Sequence, residues 1–262
     1  MKTLKNWTLQ KQSAHHVELL VDGQHTLCLY VLEANLFRVL IKRKGELALA
    51  RTWSIAPEED VPWEGRSRED LSGFSLPAWK LEQQQETLTV ESETLRVTVH
   101  QPLWLEWHYR NEAGEWQWLA GDRPTSAYQI NAHGDGVAHY LSRKKEERFY
   151  GLGEKAGNLQ RTGQRYEMRN LDAMGYNAAS TDPLYKHVPF TLTRRDDVSY
   201  GLFYDNLSSC WLDLGNEIDN YHTAYRRWQA VAGDIEYYIV TCARALDVTN
   251  AFVRLTGTPL FG

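Results

Sequence analysis

Apolar and polar residues alternate with a period of two along much of this chain. In the stretch 94–100, Leu95, Val97 and Val99 fall on one side and polar residues fall on the other. Other stretches with a strand-like pattern are His16–Val21, Thr26–Glu33, Leu36–Lys42, Thr87–Glu91, Leu103–Arg110, Val137–Arg143, Val188–Arg194, Tyr200–Tyr204 and Ile235–Ile239. Because side chains on a strand point alternately to opposite faces, the pattern predicts half-buried β-strands.

Short turn signals separate these stretches, among them Asp22-Gly23, Lys44-Gly45 and Ala113-Gly114. Many short strands at hairpin spacing predict an all-β antiparallel β-sandwich, with two sheets packed face to face. A βαβ arrangement is excluded, because no helical pattern of sufficient length lies between the strands.

One helix is predicted near the end of the chain, over Asp247–Leu255. Its apolar face carries four residues at helical spacing, which are Val248, Ala251, Phe252 and Leu255. Asp247 complements the positive N-terminal end of the helix, and Gly257 and Pro259 are expected to end it.

Two long irregular regions remain. Ala56–Pro77 is rich in charge, Pro and Gly and is predicted to be a long surface loop, and the second region is Gly151–Pro189. Loops of that length in a compact domain are usually functional or disordered. The second region concentrates carboxylates, amides and tyrosines, and the chain has 10 Trp and 14 Tyr in all. Planar acceptors and aromatic faces are the groups that bind a neutral sugar, although composition alone favours a structural loop that caps the sandwich.

Charge, apolar runs and cysteine content exclude several functions. With 29 Lys and Arg against 34 Asp and Glu, the net charge is −5, and no basic block offers a surface for nucleic acid. No apolar run approaches the ~18 residues of a membrane-spanning helix, and the N-terminus lacks the apolar core of a secretory leader. Three widely spaced cysteines predict reduced core thiols in a cytoplasmic protein, and we expect neither a metal nor a cofactor.

The sequence Gly151–Ala156 fits the G-x-G-x-x-G/A pattern of dinucleotide-binding proteins. That chemistry requires a helix whose N-terminal amides hold a pyrophosphate, and Gly157–Gly163 is not a helical sequence. We therefore interpret the motif as a tight turn at a sheet edge. The G-x-S-x-G, H-E-x-x-H and phosphate-loop motifs are absent.

Three motifs in order carry a specific resemblance, namely Arg148–Lys155, Arg165–Ala173 and Asp182–Phe190. They closely resemble the N-terminal region of family 31 glycoside hydrolases, the α-glucosidase and α-xylosidase group. The similarity continues through Tyr200–Asn206 and the closing helix, whereas the first ~145 residues fit only by their β-rich pattern.

The resemblance implies a sandwich related in fold to galactose mutarotase, followed by a (β/α)₈ barrel. We expect the sandwich over residues 1–244 and a helix and linker towards the barrel over 245–262. The two aspartates of the retaining mechanism belong to the barrel of the family, so no catalytic residue is assigned here. The chain is expected to be inactive alone and, with apolar surface on the order of several hundred Å² uncovered, to self-associate.

The family also implies that one aspartate on a loop of this domain contacts the sugar. Asp172 matches that residue and is expected to accept hydrogen bonds from the substrate, an α-linked glucoside or related oligosaccharide. Asn170 and Tyr176 are weaker candidates for ring contact or loop support, and Tyr185–His187 are expected to fix the loop against the sheet.

Two questions stay open at this stage. These residues do not determine whether the substrate is a glucoside or a xyloside. A self-sufficient sugar-binding or epimerase-like sandwich is the alternative function, which would require a histidine acid and a nearby glutamate base. The candidates for that histidine are His108, His139 and His222.

Overall fold

The computed structural model of the chain describes residues 1–58 and 61–258. The strands are β1 (Lys2–Thr3), β2 (Trp7–Gln12), β3 (His16–Val21), β4 (His25–Glu33), β5 (Leu36–Lys42), β6 (Arg51–Thr52), β7 (Arg66–Ser67), β8 (Lys80–Gln83), β9 (Thr87–Glu91), β10 (Leu95–His100), β11 (Trp104–Arg110), β12 (Trp116–Gly121), β13 (Tyr128–Ile130), β14 (Val137–Ser142), β15 (Arg148–Gly153), β16 (Arg165–Met168), β17 (His187–Arg194), β18 (Ser199–Tyr204), β19 (Cys210–Asp213), β20 (Tyr225–Ala230) and β21 (Ile235–Cys242). One helix, α1 (Ala245–Thr256), follows the last strand.

All the strand pairings are antiparallel, which confirms the predicted fold class. An eight-stranded sheet has the order β15-β17-β18-β21-β5-β4-β3-β2. The second layer is two sheets rather than the single one predicted: a six-stranded sheet, β1-β13-β14-β20-β19-β16, and a five-stranded sheet, β12-β11-β10-β9-β8. The two sheets meet at an isolated antiparallel bridge between Asp122, directly after β12, and Leu141 of β14.

The three sheets share one hydrophobic core between the layers. The eight-stranded sheet contributes Phe37, the five-stranded sheet Trp107 and the six-stranded sheet Trp228, all of them buried. The rings of Phe37 and Trp107 meet edge to face with 6.0 Å between their centroids. The alternating apolar residues of the sequence therefore mark this inner face.

The other face of the eight-stranded sheet is covered by α1 over β17, β18 and β21, and by the segment that contains Ile55 and Phe74. Val248, Ala251 and Leu255 are buried there, and Phe252 stacks on Phe190 with 4.0 Å between ring centroids, which confirms the predicted apolar face. Coverage on both sides explains why the central strands β4, β5, β18 and β21 are buried almost throughout. The helix ends at Gly257, whose φ is 88°, whereas the predicted stop at Pro259 lies outside the described residues.

No helix within residues 1–58 and 61–258 is long and apolar enough to cross a membrane.

The irregular region Ala56–Pro77 does not stay on the surface as predicted. It carries the short strand β7, and Arg68 beside that strand is only 5% exposed. Its guanidinium lies 2.7 Å from Oδ2 of Asp205 and 2.6 Å from Oε2 of Glu236. Glu236 in turn pairs with Arg38, with 2.7 Å from Nη2 to Oε1. We call Arg38, Arg68, Asp205 and Glu236 the buried charge cluster, and it ties this region to the eight-stranded sheet.

Candidate functional site

The candidate substrate-binding loop comprises residues 169–186 between β16 and β17. Strand β16 is at the edge of the six-stranded sheet, and β17 lies beside the edge strand β15 of the eight-stranded sheet. The loop therefore crosses from one layer of the sandwich to the other. It contains all three residues that the sequence selected as substrate contacts.

Asp172 lies exposed on this loop. Its backbone oxygen accepts a hydrogen bond from the Met174 amide at 3.1 Å, and the neighbouring Ala173 is buried. Within the described part of the chain, no hydrogen bond or ion pair engages the Asp172 carboxylate. The backbone here is held in place while both carboxylate oxygens stay available as acceptors.

Of the other two candidates, one supports the loop and the other has an exposed side chain. Asn170 uses its side-chain oxygen to accept a hydrogen bond from the His187 amide at 3.1 Å, so it supports the loop where β17 begins. Tyr176 is 51% exposed and meets Tyr185 edge to face with 6.1 Å between ring centroids. The Tyr185 hydroxyl donates to the Ala173 oxygen at 3.2 Å.

The prediction that Tyr185–His187 fix the loop is confirmed by backbone and side-chain contacts. Besides the hydrogen bonds of Tyr185 and His187, the Lys186 oxygen accepts one from the Glu154 amide at 3.0 Å. Burial and the Lys155 ammonium both lower the pKa of His187, so its ring is neutral near pH 7. The start of β17 thus supports the loop without adding a charge at His187.

A buried lysine, Lys155, holds the middle of the loop. Its side chain is 1% exposed, and its Nζ donates to the Glu167 oxygen and, at 2.7 Å, to Oδ1 of Asp182. Oδ2 of Asp182 accepts from the Glu167 amide at 2.6 Å. Neither Lys155 nor Asp182 was selected from the sequence, although both lie within the motifs that carry the family resemblance.

We expect Lys155→Met to loosen this loop. The substitution keeps a long apolar side chain but leaves the part-buried Asp182 carboxylate without its cation, so the free energy of unfolding should fall by about 1–3 kcal/mol. Hydrogen exchange of the amides in 169–186 should speed up more than exchange in β4 or β5. Lys186→Met, which changes an exposed lysine of the same loop, is the matched control. Unchanged exchange in the loop of Lys155→Met would contradict the role given to Lys155.

The glycines of the Gly151–Ala156 motif allow an irregular backbone in strand β15. Strand β15 is an edge strand whose pairing with β17 shifts between Gly151 and Gly153. The φ angles are 107° at Gly151 and 76° at Gly153, and a Cβ on Gly151 would lie 2.5 Å from the Phe190 oxygen. The sheet-edge interpretation is confirmed, with a bulge inside the strand in place of a turn, and the described residues 154–164 that follow form no helix.

The three histidines of the alternative function lie in different environments. His139 is fully buried, with Nε2 2.8 Å from Oδ1 of Asp122 and Nδ1 2.8 Å from the Tyr204 hydroxyl. Both of its ring nitrogens are therefore occupied and out of reach of a sugar. His108 lies on β11, where burial lowers its pKa, and His222 lies in the loop after β19, 3.3 Å from the Thr125 hydroxyl. The structure brings none of the three together.

Among the residues that the structure describes, no group of three or more His, Cys, Asp or Glu side chains is placed to hold a metal ion. The three cysteines are free thiols, and burial raises the pKa of Cys210 to about 12. Such a thiol is neither a nucleophile nor a metal ligand at neutral pH.

Residues 26–213 match the family model described as the glycosyl hydrolase 31 N-terminal galactose mutarotase-like domain. An alpha-glucosidase of Saccharolobus solfataricus is 34% identical over 131 residues, which cover 50% of this chain and 18% of that protein. Alpha-glucosidase 2 of Bacillus thermoamyloliquefaciens is 33% identical over 111 residues, which cover 42% of this chain and 14% of that protein. The aligned region is thus less than a fifth of either relative.

Solved structures show the same fold over almost the whole chain. A dextranase of Flavobacterium johnsoniae complexed with glucose superimposes with a TM-score of 0.79 at 24% identity, over 99% of this chain and 29% of that one. An alpha-1,4-glucan lyase of Gracilariopsis lemaneiformis gives a TM-score of 0.78 at 18% identity, over 98% of this chain and 30% of that one. The similarity therefore begins well before the three sequence motifs.

Proposed function

The chain belongs to the N-terminal galactose mutarotase-like domains of glycosyl hydrolase family 31, and from that membership we propose that it shapes the substrate cleft of an α-glucosidase-type hydrolase. The observation that carries the proposal is the free, exposed carboxylate of Asp172 on a loop held by Lys155 and Asn170. A fixed backbone with an available acceptor is what recognition of a sugar hydroxyl requires.

In this proposal, Asp172 accepts hydrogen bonds from hydroxyl groups of an α-linked glucoside or related oligosaccharide. The exposed ring of Tyr176 covers an apolar side of the sugar, and Asn170 holds the loop in position. Carbohydrate binding is thereby proposed for this domain, and preference between glucosides and xylosides is left to the rest of the substrate pocket.

We place the bond-breaking chemistry on a partner (β/α)₈ barrel. A retaining glycosidase uses two carboxyl groups ~5–5.5 Å apart, one as nucleophile and one as acid and base. Two conspicuous aspartates of this chain are already engaged, Asp182 by Lys155 and Asp205 by Arg68, which supports leaving both out of the reaction.

The proposal includes the division into a sandwich over 1–244 and a helix with linker over 245–262. Exposed apolar side chains on the loop, Met174 at 87% and Tyr176 at 51%, support docking against the barrel and self-association of the chain by itself. Free cysteine thiols support a cytoplasmic location.

Turnover of 4-nitrophenyl α-glucoside tests the assignment. We expect the full-length protein that contains this domain to release nitrophenol, and the purified 262-residue chain to show no release above the uncatalysed rate. The matched measurement is polarimetry of fresh α-glucose with the same chain, in which no acceleration of mutarotation is expected. Turnover by the chain alone, or an accelerated mutarotation, would overturn the proposal in favour of a self-sufficient sandwich.

A further inference from the structure

A cavity of about 720 Å³ opens at the end of the eight-stranded sheet, where β5, β18 and β21 meet. Its walls come from the turns that follow β5 and β18, from the residues before β21, and from Arg68 and Asp135. None of the residues 169–186 lines it, so it is a separate site from the candidate substrate-binding loop.

The walls of this cavity are preformed. Asn206 is buried, and its Nδ2 donates to the Ala232 oxygen at 2.9 Å and to the Asp234 oxygen at 3.0 Å, which locks two of the turns together. Gly233 allows this contact, because a Cβ there would lie 2.5 Å from that same Nδ2. The Ala48 amide donates to Oδ2 of Asp234 at 2.8 Å and fixes the third turn.

Two buried carboxylates in the lining each have a hydrogen-bond donor at only one of their two oxygens. Asp205 is 3% exposed and Asp234 is 9% exposed. In each, Oδ2 has a donor, which is Arg68 for Asp205 and the Ala48 amide for Asp234. In each, Oδ1 has no hydrogen-bond donor among the residues that the structure describes. A shielded carboxylate oxygen without a donor is costly, so both oxygens favour a ligand that supplies one.

Burial raises the pKa of Asp234, while the backbone amides of Ala48 and Leu49 and the cation of Arg68 act in the opposite direction. The Ala48 amide donates its hydrogen bond to Oδ2. A carboxyl group in that environment favours a neutral ligand, because a hydroxyl can pair with it without bringing a further charge into the protein.

The charges of the lining argue against ions. The charged residues are nearly balanced, and they are Arg43, Lys44, Arg68, Glu46, Asp135, Asp205 and Asp234. A phosphate would meet two carboxylates that already lack donors. A metal ion would require a cluster of ligands, and the described residues contain no such group of three. Leu47, Leu49 and Leu207 supply apolar wall for the carbon side of a ligand.

We propose that this cavity binds a small neutral polyhydroxylated molecule, a monosaccharide or a polyol, whose hydroxyl groups donate to Oδ1 of Asp205 and Asp234. The rigid turns hold these two acceptors in position before binding, and the leucines contact the carbon skeleton. The site lies outside the proposed cleft and gives the domain a second point of contact with carbohydrate.

Titration of the 262-residue chain with glucose and, separately, with glycerol, followed by amide chemical shifts, tests the site. We expect saturable shifts at Leu47–Leu49 and Ala232–Asp234. Leu207→Trp, which fills the cavity from an exposed position without touching the buried charges, should weaken binding at least ~tenfold. Leu246→Trp, at an exposed leucine on α1, is the matched control and should bind as the parent chain does.

Asp234→Asn provides a second variant should Leu207→Trp fold poorly, and it should weaken binding by a similar factor. Asp172→Ala should leave these shifts unchanged, so failure of this site is distinguishable from failure of the proposed cleft. Saturation by glucose alone indicates a sugar site, and saturation by glycerol as well indicates a general polyol site. Calcium and methylammonium are titrated in the same way as cationic probes. The proposal would be overturned if neither glucose nor glycerol gave saturable shifts, or if the shifts survived Leu207→Trp. Saturation by one of the cations alone would overturn it as well.

Discussion

Arg38→Met should lower the free energy of unfolding of the chain by about 3–5 kcal/mol. Arg38 is 2% exposed; its Nη2 lies 2.7 Å from Oε1 of Glu236, and its Nη1 donates to the Arg68 oxygen at 2.6 Å. Methionine fills similar space, so the loss comes from the charge. Glu236 and Asp205 would then share one buried cation, Arg68.

The same substitution should be less damaging at acid pH. Burial raises the pKa of Glu236, and Arg38 is the strongest influence that holds it down. Without Arg38 that pKa rises further, so the folded variant takes up a proton at Glu236 before the unfolded chain does. Folding is therefore favoured as the pH falls towards the unfolded value of 4.5. The difference in stability between parent and variant should narrow as the pH falls from 8 towards 5.

Urea unfolding at several pH values measures both effects. Arg244→Met is the matched control, because Arg244 pairs with Asp247 at 2.8 Å on the surface and its loss should change little. The double variant Arg38→Met with Glu236→Gln should be less destabilised than the sum of the two single changes. A pH-independent difference between parent and Arg38→Met, or strict additivity in the double variant, would contradict the role of the buried charge cluster.

Asp172→Ala should lower kcat/KM of the full-length hydrolase on maltose by about 1–3 kcal/mol of transition-state stabilisation, which is roughly a 5- to 150-fold loss. The physical reason is the loss of an acceptor for sugar hydroxyls. The Asp172 carboxylate makes no hydrogen bond or ion pair within the described chain, so its removal should leave urea unfolding of the protein unchanged.

Asp172→Asn is the matched variant, since an amide oxygen keeps one acceptor and should retain more activity than alanine. Asp182→Ala is the contrasting change, because Asp182 is paired with Lys155 and its loss should reduce stability as well as activity. Unchanged kinetics in Asp172→Ala, or a loss explained entirely by unfolding, would remove Asp172 from the proposed cleft.

Several elements were predictable because their information is local. His16–Val21, Leu36–Lys42 and Thr87–Glu91 agree with the observed strands at both ends, and the predicted apolar face of α1 is the buried one. The two-residue strands Lys2–Thr3 and Arg51–Thr52 have no periodicity to detect. Their pairing depends on partners elsewhere in the fold, so no pattern within these two residues predicts a strand.

The division of the second layer into two sheets could not be predicted from the local pattern of apolar and polar residues either. Strands of both sheets alternate in the same way, and only their pairing partners distinguish them. Likewise, Arg68 sits in a charged, irregular segment whose composition is typical of the surface. Its burial follows from Asp205 and Glu236, which lie 137 and 168 positions away.

The sequence by itself determined the antiparallel class, the closing helix and the family, because alternation, helical spacing and short motifs are patterns among residues that lie close together in the sequence. Only the tertiary structure decided which aspartates are free. Asp172, Asp182 and Asp205 are alike in sequence, yet Lys155 and Arg68 occupy the last two and leave the first exposed. The physical reason is that the availability of a carboxylate depends on which distant side chains the fold places against it.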